Sequence, residues 1–181
     1  MTPKKSKAQL YIISNDNTLK KFSASDIKHS NVYNLFDYIY TEVNGEKVLD
    51  EAKVKVVVDM FIKNVCPDKK GGDPFWDKTA ASFLTFCIYF LCEFFTEESR
   101  NMDSILKLIQ LGKVDESSSS TTTPLDRMAQ KKEELNPNAK CFVSFRTFKL
   151  APAKTANSVL ITLGINLESF GSADTVNQSY R

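Results

Sequence analysis

Phe83-Leu84-Thr85-Phe86-Cys87-Ile88-Tyr89-Phe90-Leu91-Cys92-Glu93-Phe94-Phe95 is the stretch that decides the fold. Wound as a helix, its phenylalanines, leucines, Cys87 and Ile88 leave almost no polar face. A helix that is apolar on every side has to be surrounded by other helices, so this stretch reads as the spine of a bundle. Its start is marked upstream. Asp73 accepts hydrogen bonds as an N-cap, and Pro74 suits the first helical position because it has no N–H to leave unpaired. The spacing predicts a helix over 75–95. The apolar run at 83–95, interrupted by Glu93, falls short of the ~20 residues that a membrane span needs. A buried central helix is favoured over a membrane segment.

Toward the C-terminus, a third helix is expected to be capped near Asn101 or Asp103 and to carry Ile105, Leu106, Leu108, Ile109 and Leu111, with Gly112 as the residue just past its end. Residues 114–123, with Ser117 to Ser120 and Thr121 to Thr123, have little apolar area to bury and predict a mobile surface loop. Thr123-Pro124-Leu125-Asp126 then restarts a helix, with Thr123 as cap and Asp126 in the place of a capping-box acid. Asn136-Pro137 reads as a second use of that device, opening a helix over 138–150. Pro152 forces a break or kink. The last helix is expected over 153–170, with Ala156, Leu160, Leu163, Leu167 and Phe170 on one face, ended by Gly171.

Toward the N-terminus, residues 46–65 repeat Leu49, Ala52, Val56 and Met60 at helical spacing. Val54-Lys55-Val56-Val57-Val58-Asp59 also fits a buried strand ending in an acid, but periodicity over twenty residues favours helix. Pro67 and Gly71-Gly72 break the chain. Residues 1–45 read as extended: Leu10 to Ile13 as a strand, Ser14 to Asn17 as a turn, and Lys21 to Ala24 as a stretch that pairs back. Neither strand is long enough for an independent sheet. The fold class expected is mainly α, about six helices bundled around a central hydrophobic helix, with short extended or β arms at the N-terminus. The organisation expected is an arm over 1–45, a helical domain over 46–171 and a polar tail over 172–181.

Composition narrows the function. With 42% apolar and 25% charged residues in 181, the chain can build a core without metals or disulfides. Cys66, Cys87, Cys92 and Cys141 form no C-x-x-C pair and His29 is the single histidine, so no zinc-ligand spacing exists and reduced thiols of a cytoplasmic protein are expected. Met1 to Lys7 is basic, but no apolar segment of a secretory signal follows. G-x-x-x-x-G-K-[ST], G-x-S-x-G, H-E-x-x-H and G-x-G-x-x-G are all absent. Carboxylate pairs such as Asp37 with Glu42, or Glu133 with Glu134, read as solvated surface. No catalytic, cofactor-binding or metal-binding residue is assigned.

A net charge of +2 is too small to argue for nucleic-acid binding globally. One local bias stands out. Arg127, Lys131, Lys132, Lys140, Arg146, Lys149 and Lys154 face only Glu133 and Glu134 as nearby acids, and Phe142, Phe145 and Phe148 interleave with them. Cations with aromatics can grip a single strand by phosphate contact and stacking. The three-residue spacing of the phenylalanines equally fits a core-facing stripe, with the cations in water.

Four stretches, in order, resemble the TraG/VirD-type coupling proteins of conjugation and type IV secretion, above all those of Gram-positive mobile elements. Asp26-Ile27-Lys28-His29-Ser30-Asn31-Val32-Tyr33-Asn34-Leu35-Phe36-Asp37-Tyr38-Ile39 resembles that family's S-N-x-Y-N-P-F-x-Y-I. Asp73-Pro74-Phe75-Trp76-Asp77-Lys78 resembles D-P-F-W-x-K. Pro124-Leu125-Asp126 resembles the end of S-P-L-D. Lys154-Thr155-Ala156-Asn157-Ser158-Val159-Leu160-Ile161 resembles K-T-x-x-S-I-L. The resemblance spans roughly residues 20–172. Leu35 departs from the expected proline, which loosens that turn, and Pro152 stands where small residues are usual. The largest departure is the lack of both Walker motifs.

The resemblance implies an all-α domain that the family inserts into a RecA-like motor between Walker A and Walker B, with residues 1–45 as a remnant of the flanking motor. It implies a membrane-anchored parent hexamer driven by ATP and magnesium, with no cofactor in this chain itself. It further implies a cytoplasmic domain without direct membrane contact, whose partners are a relaxase or relaxosome accessory protein, other coupling-protein subunits, and single-stranded or duplex DNA. The contact surface expected is the seven-cation stretch with the loop at 114–123. A free-standing helical DNA-binding protein and a purely structural spacer of the ATPase ring are the competing readings.

Overall fold

Six consecutive side chains, from Phe86 to Leu91, are buried, so the helix carrying them is covered on every side. The structure is a computed structural model that describes residues 9–13, 19–23, 34–65, 74–114 and 122–177. In chain order the elements are β1 (Gln9–Ile13), β2 (Leu19–Ser23), α1 (Leu35–Tyr38), β3 (Tyr40–Val43), β4 (Glu46–Leu49), α2 (Glu51–Val65), α3 (Pro74–Phe94), α4 (Met102–Gly112), α5 (Pro124–Leu135), α6 (Cys141–Lys149) and α7 (Ala153–Asn177), with a 3-10 turn at Glu97–Ser99. The protein is mainly α, as expected. β1 and β2 pair antiparallel, with Gln9 opposite Ser23.

The spine α3 is covered chiefly by α6 and α2, and α4 and α7 also pack on it. Phenylalanines set the register with α6. Ring centroids lie 4.8 Å apart for Phe83 and Phe148, 4.4 Å for Phe86 and Phe145, and 6.5 Å for Phe90 and Phe142. The pairing runs antiparallel, and such tilted ring pairs add about 0.5–1.5 kcal/mol each beyond area burial. Val54, Val57, Val58 and Phe61 of α2 complete the core with Ile105 and Ile109 of α4 and Leu160 and Leu163 of α7. The strand reading of residues 54–59 is not realised, since they lie within α2.

Four boundaries differ from the sequence reading, each for a physical reason. Residues 46–49 are strand β4 and not the start of a helix. Asn44 and Gly45 adopt φ of 54° and 82°, the left-handed pair of a two-residue hairpin turn, and Tyr40 pairs with Leu49. The helix begins at Glu51, where the Asp50 carboxylate accepts from the Ala52 and Lys53 N–H groups at 3.0 and 3.2 Å. Asn136-Pro137 makes a turn and does not open a helix. Instead α6 starts at Cys141, because the Glu93 carboxylate of α3 accepts from the Lys140 and Cys141 N–H groups at 2.8 and 3.1 Å. Gly112 lies inside α4. A Cβ there would stand 3.1 Å from Leu160 and 3.2 Å from Leu125, so glycine serves close packing. Gly171 does not stop α7, which continues to Asn177. The single turn α1 was not foreseen. It makes seven α-helices among the described residues where about six were expected.

Other expectations hold. Asn101 caps α4 by accepting from Ser104 N–H at 2.9 Å. Thr123 and Asp126 form a reciprocal capping box on α5. Pro152 separates α6 from α7. Leu35 takes the first position of α1 after the cap Asn34, a site that proline also accepts. The turn stays closed because Asn34 accepts from Phe36 N–H at 3.2 Å and donates to the Arg100 carbonyl at 2.6 Å. The Asp73 cap, the breaks at Pro67 and Gly71-Gly72, Cys66, His29, the Ser14–Asn17 turn, most of the loop at 114–123 and residues 178–181 lie outside the described residues.

Two consequences are measurable. Phe86→Ala removes a fully buried ring between α3 and α6 and is expected to cost about 3–5 kcal/mol in urea unfolding. The second concerns alkali. Burial pushes the Tyr40 phenol and the Cys87 and Cys141 thiols upward, with the Cys92 contact adding at Tyr40 and the Glu93 carboxylate adding at Cys141. Folded chains therefore keep protons that unfolded chains release above about pH 8.5 for thiols and about pH 10 for the phenol. The unfolded state then binds fewer protons, and stability falls as pH rises. The urea midpoint should stay level up to about pH 8 and decline above about pH 9, with a shallower decline in Cys87→Ala.

Candidate partner-docking surface

Helix α5 runs in the same direction as α3. Its start lies at the level of Phe83, with Leu125 and Phe83 both flanking Gly112. Its later turns reach the other end of the spine, where the Lys132 ammonium sits 5.6 Å from the Phe94 ring and 5.3 Å from the Phe95 ring. The seven cations singled out in the sequence therefore spread along the length of the bundle and do not form one patch. Lys140 lies at the end where α3 finishes, beside Glu93, and Lys149 lies near the level of Phe83, paired with Asp126 at the start of α5.

Three of the seven are engaged by carboxylates. Lys140 pairs with Glu51. Arg146 pairs with Glu133 at 2.6 Å, and Lys149 with Asp126 at 2.9 Å. These partners are mostly solvent-exposed, so each pair contributes about 0–1 kcal/mol while lowering the local positive field. Lys132 is turned onto two rings. Arg127, Lys131 and Lys154 are exposed, and none has an acidic partner within 4.0 Å among the described residues. Arg127 and Lys131, four residues apart, share one face of α5.

The interleaved aromatics point inward. Phe142 and Phe148 are buried, and Phe145 rests on Phe86. Phe142 and Phe148 belong to the core and cannot stack on bases, and the partly buried Phe145 packs against it. Exposed apolar side chains are scattered over the surface and include Phe75 and Trp76 at the start of α3, 41% and 39% exposed, Leu135 at the end of α5, Val143 of α6, Ile165 of α7 and Leu150 just past α6, 82% exposed. Sequence reasoning missed them because helical periodicity assigns Phe75 and Trp76 to the same stripe as Phe83 and Phe86. Only the length of α6 decides where that stripe comes into the open.

The remaining chemistry is structural. Arg100 donates to the carbonyls of Cys92 and Phe95 at 3.2 and 3.1 Å, closing the C-terminus of α3. The Tyr40 hydroxyl donates to Cys92 Sγ at 3.3 Å. A groove of about 370 Å³ between α2, α3 and α6 is lined by Lys55, Asp59, Ser82, Thr85, Tyr89 and Ser144, among others. Among the described residues no three His, Cys, Asp or Glu side chains are gathered to hold a metal ion. No helix of the described residues is long and apolar enough to cross a membrane.

Of the N-terminal stretch resembling the coupling proteins, the described residues 34–39 fasten to the bundle, with Phe36 and Ile39 in the core and Asn34 bound to Arg100. The other three each sit at the start of a helix: α3, α5 and α7. No curated protein and no solved structure matches the chain. The profile of the type IV secretory system conjugative DNA transfer family matches residues 14–178, nearly the whole chain. The chain belongs to that family, the one to which its TraG/VirD-type signatures pointed.

Proposed function

We propose that this chain is a cytoplasmic docking domain of a TraG/VirD-type coupling protein, holding a relaxase or a relaxosome accessory protein for transfer and performing no catalysis itself. The observation that supports the reading best is the pair Arg127 and Lys131, exposed on one face of α5 and free of acidic partners among the described residues, in a member of a conjugative DNA transfer family. Direct DNA binding is the weaker reading. Three of the seven cations already have carboxylate partners and the interleaved phenylalanines are core. A role as a spacer between subunits of the ATPase ring is the reading left if no transfer protein is held. ATP and magnesium belong to the motor of the parent protein.

Double charge reversal, Arg127→Glu with Lys131→Glu, is expected to lower retention of the cognate relaxosome about 10-fold, or ~1.4 kcal/mol. The urea midpoint should barely move, because surface substitutions cost within about 0.5 kcal/mol. Undiminished retention would take α5 out of the docking surface. Isothermal calorimetry of this chain with ATP and magnesium should give no binding heat, and a saturable signal would make it a nucleotide-binding protein. In gel shifts, duplex binding should be weak and vanish with modest salt, since few phosphates are neutralised.

A further inference from the structure

The groove of about 370 Å³ between α2, α3 and α6 gathers polar groups that the fold does not use. Glu51 pairs with Lys140, whose backbone N–H is held by Glu93. The start of α2 therefore stands beside the last turns of α3, and α2 runs back along that helix. The floor is α3 from Ala81 to Tyr89, one wall is α2 from Glu51 to Asp59, and the other wall is Ser144 and Thr147 of α6. Each of the two longer spans advances about 12 Å along its helix.

Two of the lining hydroxyls are spent within their own helices. Ser82 donates to the Lys78 carbonyl and Thr147 to the Val143 carbonyl, both at 2.9 Å. Thr85, Tyr89 and Ser144 have no hydrogen-bond partner among the described residues. Tyr89 is the telling one, because it is only 8% exposed. Among the described residues the sealed side-chain polar atom without a partner is Arg100 Nε, so the Tyr89 hydroxyl is not sealed. It reaches solvent through the groove that Tyr89 lines. On the α2 wall, Lys55 and Asp59 are both exposed, and neither has an opposite charge within 4.0 Å among the described residues.

We propose that this groove binds an extended polypeptide segment of about four residues, carrying an acidic and a basic side chain two positions apart. Hydroxyls both donate and accept, which suits the alternating N–H and C=O groups of an extended backbone. Lys55 and Asp59, one helical turn apart, have Cβ atoms about 5–6 Å from each other. Alternate side chains of an extended segment leave the same face about 6.6–7 Å apart, so its acid can meet Lys55 while its base meets Asp59. A helix about 10 Å across would fill roughly 900 Å³ over the same length, more than the groove holds. A nucleic acid would set phosphates against Asp59 with Lys55 as the one unpaired lining cation, which is too little for phosphate-driven binding. The site goes beyond the docking reading above, since none of its residues belongs to α5.

The test follows backbone amide shifts of the isotope-labelled chain. The probes are the acetylated and amidated peptide Gly-Glu-Gly-Lys-Gly, its counterparts with two glutamates or two lysines, and ε-aminocaproate, a zwitterion without a peptide bond. The first peptide should shift the Lys55, Thr85 and Ser144 amides saturably. Its Kd should rise about 10-fold in Lys55→Glu and in Asp59→Lys. It should rise about 3–10-fold in Tyr89→Phe, which keeps the buried ring and removes only the hydroxyl, and Ser144→Ala gives a second reading of the same loss. Urea midpoints should stay level in the two charge variants, because both sites are exposed. Equal binding of either like-charged peptide, or wild-type affinity in both hydroxyl variants, would overturn the proposal. So would the absence of a saturable shift. Equal binding of ε-aminocaproate would give the groove to a small zwitterion and overturn it as well. Relaxosome retention that depends on Arg127 and Lys131 is read separately, so either result can fail without the other.

Discussion

Burial of α3 on all sides is the constraint from which the rest of the domain follows. From Phe86 to Leu91 every side chain is buried, so no orientation of this helix against a single neighbour would suffice. Four helices must converge on it, and the phenylalanines dictate how. Ring contacts with Phe142, Phe145 and Phe148 fix α6 antiparallel and in one register. The opposite side is left to smaller side chains of α2, α4 and α7, and Gly112 permits the close approach of Leu125 and Leu160. Close-packed interiors tolerate little change in volume, so the register of this aromatic column holds several helices in place at once.

Polar groups close the end where α3 finishes. Glu93 supplies the cap that α6 lacks in its own sequence. Arg100 takes up two carbonyls at the last turn of α3, and its own carbonyl is held by Asn34. The Arg100 guanidinium also lies 5.9 Å from the Tyr40 ring, while Tyr40 binds Cys92. One guanidinium and one carboxylate thus fasten three segments that are distant in sequence. Arg100 Nε is buried with no hydrogen-bond partner, so this closure leaves one donor unsatisfied, a cost of about 1–3 kcal/mol for a buried polar group.

The sequence was legible where the signal is local or periodic. The all-round apolar run predicted the spine, and Thr123-Pro124-Leu125-Asp126 predicted the capping box as it stands. It was less legible where a partner far along the chain decides. Nothing near Asn136-Pro137 indicates that α6 waits until Cys141, because the deciding carboxylate sits 48 residues away. Asn44-Gly45 was a local hairpin signal that the helical periodicity of the following residues obscured. The seven cations read as one basic stretch because a sequence has no third dimension. Glu51, far upstream, and Asp126, before the stretch's acids, neutralise two of them.

The two ends of the bundle are built differently. At the end where α3 finishes, hydrogen bonds join α1, α3, α6 and the segment before α4, and Leu135 of α5 is exposed there. At the end where α3 begins, Trp76 is partly exposed, and Leu150, just past α6, reaches solvent. Stability alone would favour the reverse, because exposed aromatics and leucines gain nothing from folding and invite association. A longer α6 would have covered them. Three of the four stretches shared with the coupling proteins open helices, and they serve the core as well as the surface: Leu125, Val159 and Leu160 are buried, while Trp76 and Lys154 are exposed.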